Sequence, residues 1–203
     1  EKTALADAEV EYMDHVSDTI YAAFKVKFSN LDIIKGADVI IWTTTPWTIP
    51  ANKALAYNAS LKYVLLEIND NKNFVNRKIV IAKDLLEPFK KDTSIENIKV
   101  LNEFLGKDLN GTICSHPFSK MEYNYDIPML EANFVTTEQG TGIVHCAPSH
   151  GPDDFNLCLN NNIKAIETVD GDGKYTSEIK LFEGLHIFKA NNLIIEKLDE
   201  QKN

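Results

Sequence analysis

The feature that most constrains this chain is its punctuation. Short runs of β-branched and aromatic residues recur every few positions, each cut off by Gly, Pro, Asn or Asp before a long helix could form. Ile20–Phe28 alternates like a strand, with Tyr21, Phe24, Val26 and Phe28 as its large side chains. Ala37–Trp42 reads as a buried strand that stops at Thr43-Thr44-Thr45-Pro46, and Pro46 and Pro50 then bar regular structure until Asn52–Tyr57. Leu61–Ile68 and Lys78–Ala82 pair around the polar turn Asn69–Asn73, and Asp84–Lys91 is a short amphipathic helix. Strand-like runs follow at Ile98–Phe104, Ile127–Leu130, Phe134–Thr137 and Gly142–Cys146. Pro152–Leu159 opens as a helix should, with Pro early and two acids in its first turn. Asp170-Gly171-Asp172-Gly173 is a turn, Phe188–Leu198 a closing helix, and Ala4–Tyr12 a short lead-in. Many short strands with few helices predict an α+β, β-barrel-rich domain with peripheral short helices, its sheet closed or nearly so. Strands and helices do not alternate regularly enough for a doubly wound parallel sheet.

The 203 residues suffice for one self-supporting core, and at 44% hydrophobic and 25% charged they match an ordinary globular chain. No stretch approaches the roughly 20 apolar residues that span a bilayer. The chain opens Glu1-Lys2-Thr3, with no signal segment and no initiator Met, and reads as a piece excised from something longer. Its net charge of −9 makes it a poor autonomous binder of nucleic acid, since that binding draws on Lys and Arg to neutralise phosphates. An acidic domain can still handle the end of a nucleic acid that another domain delivers. Three cysteines without a CxxC pair suit a reducing cytoplasm.

Two segments combine polarity with rigidity. Trp42-Thr43-Thr44-Thr45-Pro46-Trp47-Thr48-Ile49-Pro50-Ala51-Asn52 presents hydroxyls and amides in an array locked by two prolines. Such an array can hold a ribose, a carbonyl or a water. A Thr-rich strand end followed by a Pro-rich turn is the simpler account. Gly140–Phe155 runs from a glycine-flanked turn through a strand and a Gly/Pro loop into a helix. Alternation places His145 and Cys146 on opposite faces of the strand. For Asp153 and Asp154, capping of the helix amides ranks ahead of catalysis on spacing alone.

Other chemistries fit these residues less well. His145, His150, Asp153 and Asp154 match neither a His-Glu-x-x-His helix nor a Cys/His cluster, although imidazole and carboxylate suit Zn or Fe. Cys146 beside His145 faces the wrong way for a thiol hydrolase. Asp170-x-Asp172 carries Lys174 where a calcium loop needs a ligand. Gly140-Thr141-Gly142 lacks the third glycine and the lysine of a phosphate loop.

Thr43–Asn52, followed by Gly140-Thr141-Gly142-Ile143-Val144-His145-x-Ala147-Pro148, resembles the editing (connective peptide) domain of the isoleucyl-tRNA synthetase family, within the class I synthetases. Lys2-Thr3-Ala4-Leu5-Ala6, His116-Pro117-Phe118 and Gly184-Leu185-His186-x-Phe188-Lys189-Ala190-Asn191 extend the resemblance in the same order over nearly the whole chain. The leucyl and valyl families carry Arg in place of Thr45 and an acid in place of Trp47, and lack the histidine. The resemblance implies a single editing domain over 1–203, with 1–15 and 190–203 connecting toward a catalytic body. It implies hydrolysis of mischarged Val-tRNA-Ile, with the aminoacylated 3′ end, the valine moiety and the rest of the synthetase in cis as partners, in the cytoplasm and away from membranes. No cofactor is implied for this domain, whereas the parent enzyme uses ATP and Mg.

By the same resemblance Asp154 holds the substrate ammonium group. Thr43, Thr44 and Thr45 line the pocket at the terminal adenosine and the ester, and are grouped with Asp154 as the catalytic set. Asn52, His145 and Trp47 form the substrate-binding set, with His145 walling the side-chain pocket against Ile. No residue reads as a general base, so a water positioned by hydroxyls, amides and the tRNA's own terminal hydroxyl is the implied nucleophile. Cys146 and Ser149 stand where that family's pattern has Thr and Gly. His-Ile-Gly-His and Lys-Met-Ser-Lys-Ser signatures are absent from these residues, so the piece is not expected to activate amino acids.

Overall fold

The computed structural model describes residues 16–70 and 74–203. Within these residues nine strands form one continuous hydrogen-bonded series: β1 (Ile20–Phe28), β2 (Asp38–Thr43), β3 (Ala54–Tyr57), β4 (Lys62–Asp70), β5 (Phe74–Ala82), β6 (Ile98–Leu105), β7 (Ile113–Ser115), β8 (Asp126–Glu131) and β9 (Ile143–Cys146). Among the described residues three α-helices accompany them: α1 (Leu86–Thr93), α2 (Pro152–Asn160) and α3 (Ile187–Gln201). The spatial order is β6-β4-β5-β2-β1-β7-β8-β3-β9, and most neighbours run antiparallel. The parallel pairs β2·β5 and β3·β8 are the long-range joins that alternation in the sequence does not announce.

The α+β class is as expected, but the sheet is not closed into a barrel. Its ends are β6 and β9, and among the described residues β6 pairs with β4 alone. Most β6 side chains are exposed or half-exposed, with Phe104 its buried anchor, so pairing its free edge would bury little further apolar surface. Two further readings change. Phe134–Thr137 is a turn region, because Val135 N–H closes back on the Ala132 carbonyl instead of extending into a ladder. Pro46–Ala51 is regular after all: it winds as a 3-10 helix with Pro46 at its start, where a missing N–H costs nothing. Ala4–Tyr12 lies outside the described residues. The three-residue β7 is too short to carry a readable period.

Apolar residues split by face. Ala22, Phe24, Val26, Val39 and Ile41 turn inward to the main core with Leu55, Tyr57 and Ile143. Ala23, Ile40, Leu66, Ile79 and Ile81 face the opposite layer, covered by Phe89 of α1. Ala190, Ile194 and Leu198 recur every four residues along α3 and bury its inner stripe in the main core. A third, small cluster places Cys158 of α2 against Ala54, Ala56 and Cys146. Among the described residues no helix is long and apolar enough to cross a membrane.

Candidate functional site

The site is built where the threonine segment meets the last strand of the sheet. β3 pairs with β9 so that Ala54 faces Cys146 and Leu55 faces His145. The Lys53 N–H extends that ladder to the Cys146 carbonyl at 2.9 Å. The Thr-Pro stretch and the loop after β9 are therefore joined at their roots by backbone hydrogen bonds.

Within the first segment, Thr43 Oγ1 accepts the Thr45 N–H at 3.0 Å and lies 3.4 Å from Thr45 Oγ1. The Thr45 carbonyl accepts both the Thr48 N–H at 3.0 Å and the Thr48 hydroxyl at 2.9 Å. Thr43 is buried, while Thr44 and Thr45 are exposed. This internal bonding leaves the outward threonine hydroxyls available to solvent or a ligand.

His145 is held at both ring nitrogens, and the donors fix its tautomer. Thr48 Oγ1 has given its single proton to the Thr45 carbonyl, so at 2.8 Å it can only accept from His145 Nε2–H. His145 Nδ1 is then the acceptor for the Asn52 amide at 2.9 Å. The other Asn52 amide hydrogen goes to the Ala54 carbonyl at 2.9 Å. Burial, reinforced by His150, pushes the His145 pKa down to about 4. The ring is therefore neutral at physiological pH, with no lone pair free to take a proton or bind a metal.

Asp154 sits in the first turn of α2 but does not cap that helix. Its Oδ2 accepts the Ala147 N–H at 2.8 Å, tying the loop 147–151 shut. A Cβ on Gly151 would stand 3.3 Å from the same oxygen, so the glycine gives the carboxylate room. Burial raises the Asp154 pKa, partly offset by the Ala147 hydrogen bond. Asp153 is exposed. The loop leans on the first segment through an edge-to-face contact of His150 with Trp47, centroids 4.8 Å apart. His150 Nε2 in turn lies 2.7 Å from Thr168 Oγ1.

Hydrogen bonds thus gather Thr43, Thr45, Asn52 and His145 into one connected network. Ring packing adds Trp47, and a backbone tether adds Asp154. Thr44 lies between the network residues with its side chain outward. Asn52 is fully buried, so its reach is to His145 rather than to the surface. Sequence reasoning includes Thr48 in the first segment without a role and weighs His150 only as a metal ligand, and the structure puts them against His145 and Trp47 respectively. Thr48 had a readable signal, since a Thr three residues after a carbonyl at a turn can satisfy it.

The competing chemistries meet specific obstacles. Cys146 points away from His145 into the cluster with Cys158, and burial, with nearby Asp154 adding, drives its thiol pKa well up. Among the described residues no group of three or more His, Cys, Asp or Glu side chains could hold a metal ion. Asp170 Oδ1 accepts the N–H groups of Asp172 and Lys174, both at 2.9 Å, so that carboxylate closes its own turn. Gly140 and Gly142 have φ of +79° and +71°. A Cβ on Gly142 would come within 2.3 Å of the Ala82 Cβ, which makes that glycine a packing requirement. A cleft of about 560 Å³ lies elsewhere, lined by residues that include Tyr21, Ile40, Phe89 and Asn203.

Known proteins resemble this chain in sequence and in fold. The family model described as the leucyl-tRNA synthetase editing domain matches residues 26–196. The isoleucine–tRNA ligase of Pelagibacter ubique (strain HTCC1062) is 69% identical over 202 residues, covering 100% of this chain and 22% of that protein. The isoleucine–tRNA ligase of Gluconobacter oxydans (strain 621H) is 43% identical over 208 residues, again covering 100% of this chain and 22% of that protein. The chain therefore spans about a fifth of the length of these relatives. Among solved structures, the editing domain of Plasmodium falciparum cytosolic leucyl-tRNA synthetase superposes with a TM-score of 0.62 at 14% identity, covering 92% of this chain and 98% of that one. The GlLeuRS-CP1 crystal structure gives 0.64 at 14% identity, covering 89% and 96%.

Proposed function

Because this chain belongs to the editing-domain family of the aminoacyl-tRNA synthetases, we propose that it is the second sieve of an isoleucyl-tRNA synthetase, hydrolysing Val-tRNA-Ile. A synthetic pocket shaped for Ile cannot exclude Val, because one methylene is worth only about 1–3 kcal/mol of discrimination; this amino-acid pair is the usual illustration of that limit. A second pocket that admits Val and rejects Ile supplies the missing selectivity.

The observation that carries this reading is the His145 lock. A neutral imidazole pinned between Thr48 and Asn52 is a rigid wall, suited to measuring side-chain size and unsuited to proton abstraction. Asp154 receives the α-ammonium group of the aminoacyl ester through a charge-assisted contact. Thr43, Thr44 and Thr45 meet the terminal adenosine and the ester, with Thr45 placing a water on the carbonyl carbon. Attack forms the new C–O bond from water and breaks the ester C–O bond. The water proton passes, through the neighbouring ribose hydroxyl, to the departing tRNA oxygen. Valine and tRNA-Ile with a free 3′ end leave.

In this reading the domain contributes position and electrostatics and uses no metal or cofactor of its own. ATP and Mg serve the synthetic site of the parent enzyme, and the parent body, in the cytoplasm, delivers the tRNA end to this acidic surface. The test is deacylation of Val-tRNA-Ile and Ile-tRNA-Ile by the chain and its Asp154→Ala variant. Selective loss of the valyl ester, reduced about 10- to 100-fold by the substitution, is expected from one charge-assisted contact. Equal rates for both forms would leave the domain a spacer.

A further inference from the structure

The 3-10 turn Pro46–Ala51 cannot satisfy itself: two of its six residues are prolines, and so short a turn leaves carbonyls over. Side chains distant in sequence meet those groups. Asn191 Oδ1 accepts the Trp47 N–H at 3.0 Å, from one turn inside α3. The Tyr175 hydroxyl donates to the Trp47 carbonyl, so both peptide groups of that residue are held. His116 Nε2–H donates to the Ile49 carbonyl at 3.0 Å, and the Tyr125 hydroxyl donates to the Asn52 carbonyl at 2.9 Å.

These holders are themselves fixed. His116 Nδ1 accepts the Phe118 N–H at 3.1 Å, which leaves the ring proton on the nitrogen facing Ile49. Burial takes the His116 pKa down to about 3, so that donor persists at any physiological pH. His116 also stacks on Tyr123 at 4.6 Å. Tyr175 is buried in the main core, and Asn191 follows buried Ala190 on α3. The His116-Pro117-Phe118 and Gly184–Asn191 stretches each supply one of these contacts.

We propose that Asn191, Tyr175 and His116 are positioning residues that set the pocket's geometry through the backbone of Trp47 and Ile49. The proposal rests on reading the site as an ester-hydrolysing pocket. Held this way, the Trp47 ring stays against His150, and Thr48 and Asn52 stay within reach of His145. Release of the Trp47 amide loosens both sides of that wall. Loss of an acceptor at Asn191 therefore lowers turnover and blurs the choice between Val and Ile.

The experiment compares Asn191→Leu, which removes the acceptor, with Asn191→Asp, which keeps a carboxylate oxygen in its place. Amide hydrogen exchange at Trp47 and deacylation of Val-tRNA-Ile and Ile-tRNA-Ile are read in the 203-residue chain. Asn191→Leu is expected to speed Trp47 exchange at least tenfold, lower kcat on the valyl ester about tenfold and narrow the Val-to-Ile ratio. Asn191→Asp is expected to restore exchange and ratio to within about threefold of the parent chain. Parental exchange and selectivity in Asn191→Leu, or equal damage from both variants, overturns the proposal. Should the leucine variant not fold, Tyr175→Phe removes one oxygen with the ring retained and is read the same way. A parent chain inactive on both esters defeats the hydrolase reading, while Trp47 exchange alone still decides whether Asn191 holds the segment.

Discussion

His145 Nδ1 accepts a hydrogen bond from Asn52 Nδ2 at 2.9 Å across the β3–β9 junction, 93 residues apart in sequence. That bond, with the Thr48 hydroxyl on the other nitrogen, turns a titratable side chain into a fixed neutral surface. The ring's function as a wall follows from its partners.

If the ring is a wall, removing it admits a larger side chain. His145→Ala is expected to raise hydrolysis of Ile-tRNA-Ile at least tenfold and to change the valyl ester only a few-fold. The ratio of the two deacylation rates checks it. A general base in that position would instead lose both activities together.

The same lock predicts the sign of a pH effect on stability. In the unfolded chain the imidazole titrates near 6.5, and in the folded chain at about 4, so between those values the unfolded state binds the extra proton. Stability therefore falls as pH drops from 6.5 toward 4, with this group contributing at most about 1.4 kcal/mol per pH unit. Urea midpoints across that window should show the decline, and His145→Gln should make it shallower. His116 adds a decline of the same sign that persists in the variant.

Asp154 works in the other direction, on activity. Burial lifts its pKa above the ordinary 3.8, so the ammonium-binding charge is lost at a higher pH than for a solvated carboxylate. The acid limb of kcat/KM for the valyl ester should lie above that value. It should disappear from the low residual rate of Asp154→Asn, whereas the His145 ring should contribute no inflection near its ordinary 6.5.

Gly142 tests the strap that carries β9. Its φ of +71° and the 2.3 Å approach that an added Cβ would make to Ala82 combine backbone strain with overpacking. Gly142→Ala is expected to cost about 2–4 kcal/mol in urea unfolding. A cost under about 1 kcal/mol would show that the strap relaxes freely.

Cys114, Cys146 and Cys158 are all buried. Burial pushes the thiol of Cys158 up to about 11 and those of Cys114 and Cys146 well up too. A thiol reagent at about pH 8 should modify none of the three quickly in the native chain and all three after unfolding.

Local elements are legible because local physics makes them. β1 and β9 and the helix opened by Pro152 follow from alternation, β-branched residues and an early proline, all read within a few positions. The candidate segments 43–52 and 140–155 are visible for the same reason, as polar, proline- and glycine-bound interruptions. The 3-10 winding of Pro46–Ala51 is not visible, because the partners that stabilise it, Asn191, Tyr175 and His116, are far away in sequence. Closure of the sheet is misjudged because a period of two gives the face of a residue but not which strands become neighbours.

The sequence by itself determined the α+β class, most strand and helix positions, and the two segments that meet at the site, since propensity and alternation act over a few residues. Tertiary structure alone decided that the sheet stays open, that Asp154 ties a loop instead of capping its helix, and which nitrogen of His145 carries the proton. Those outcomes depend on which donors and acceptors are brought within about 3 Å of one another. Only the folded chain, bringing residue 48 to residue 145 and residue 47 to residue 191, settles that pairing.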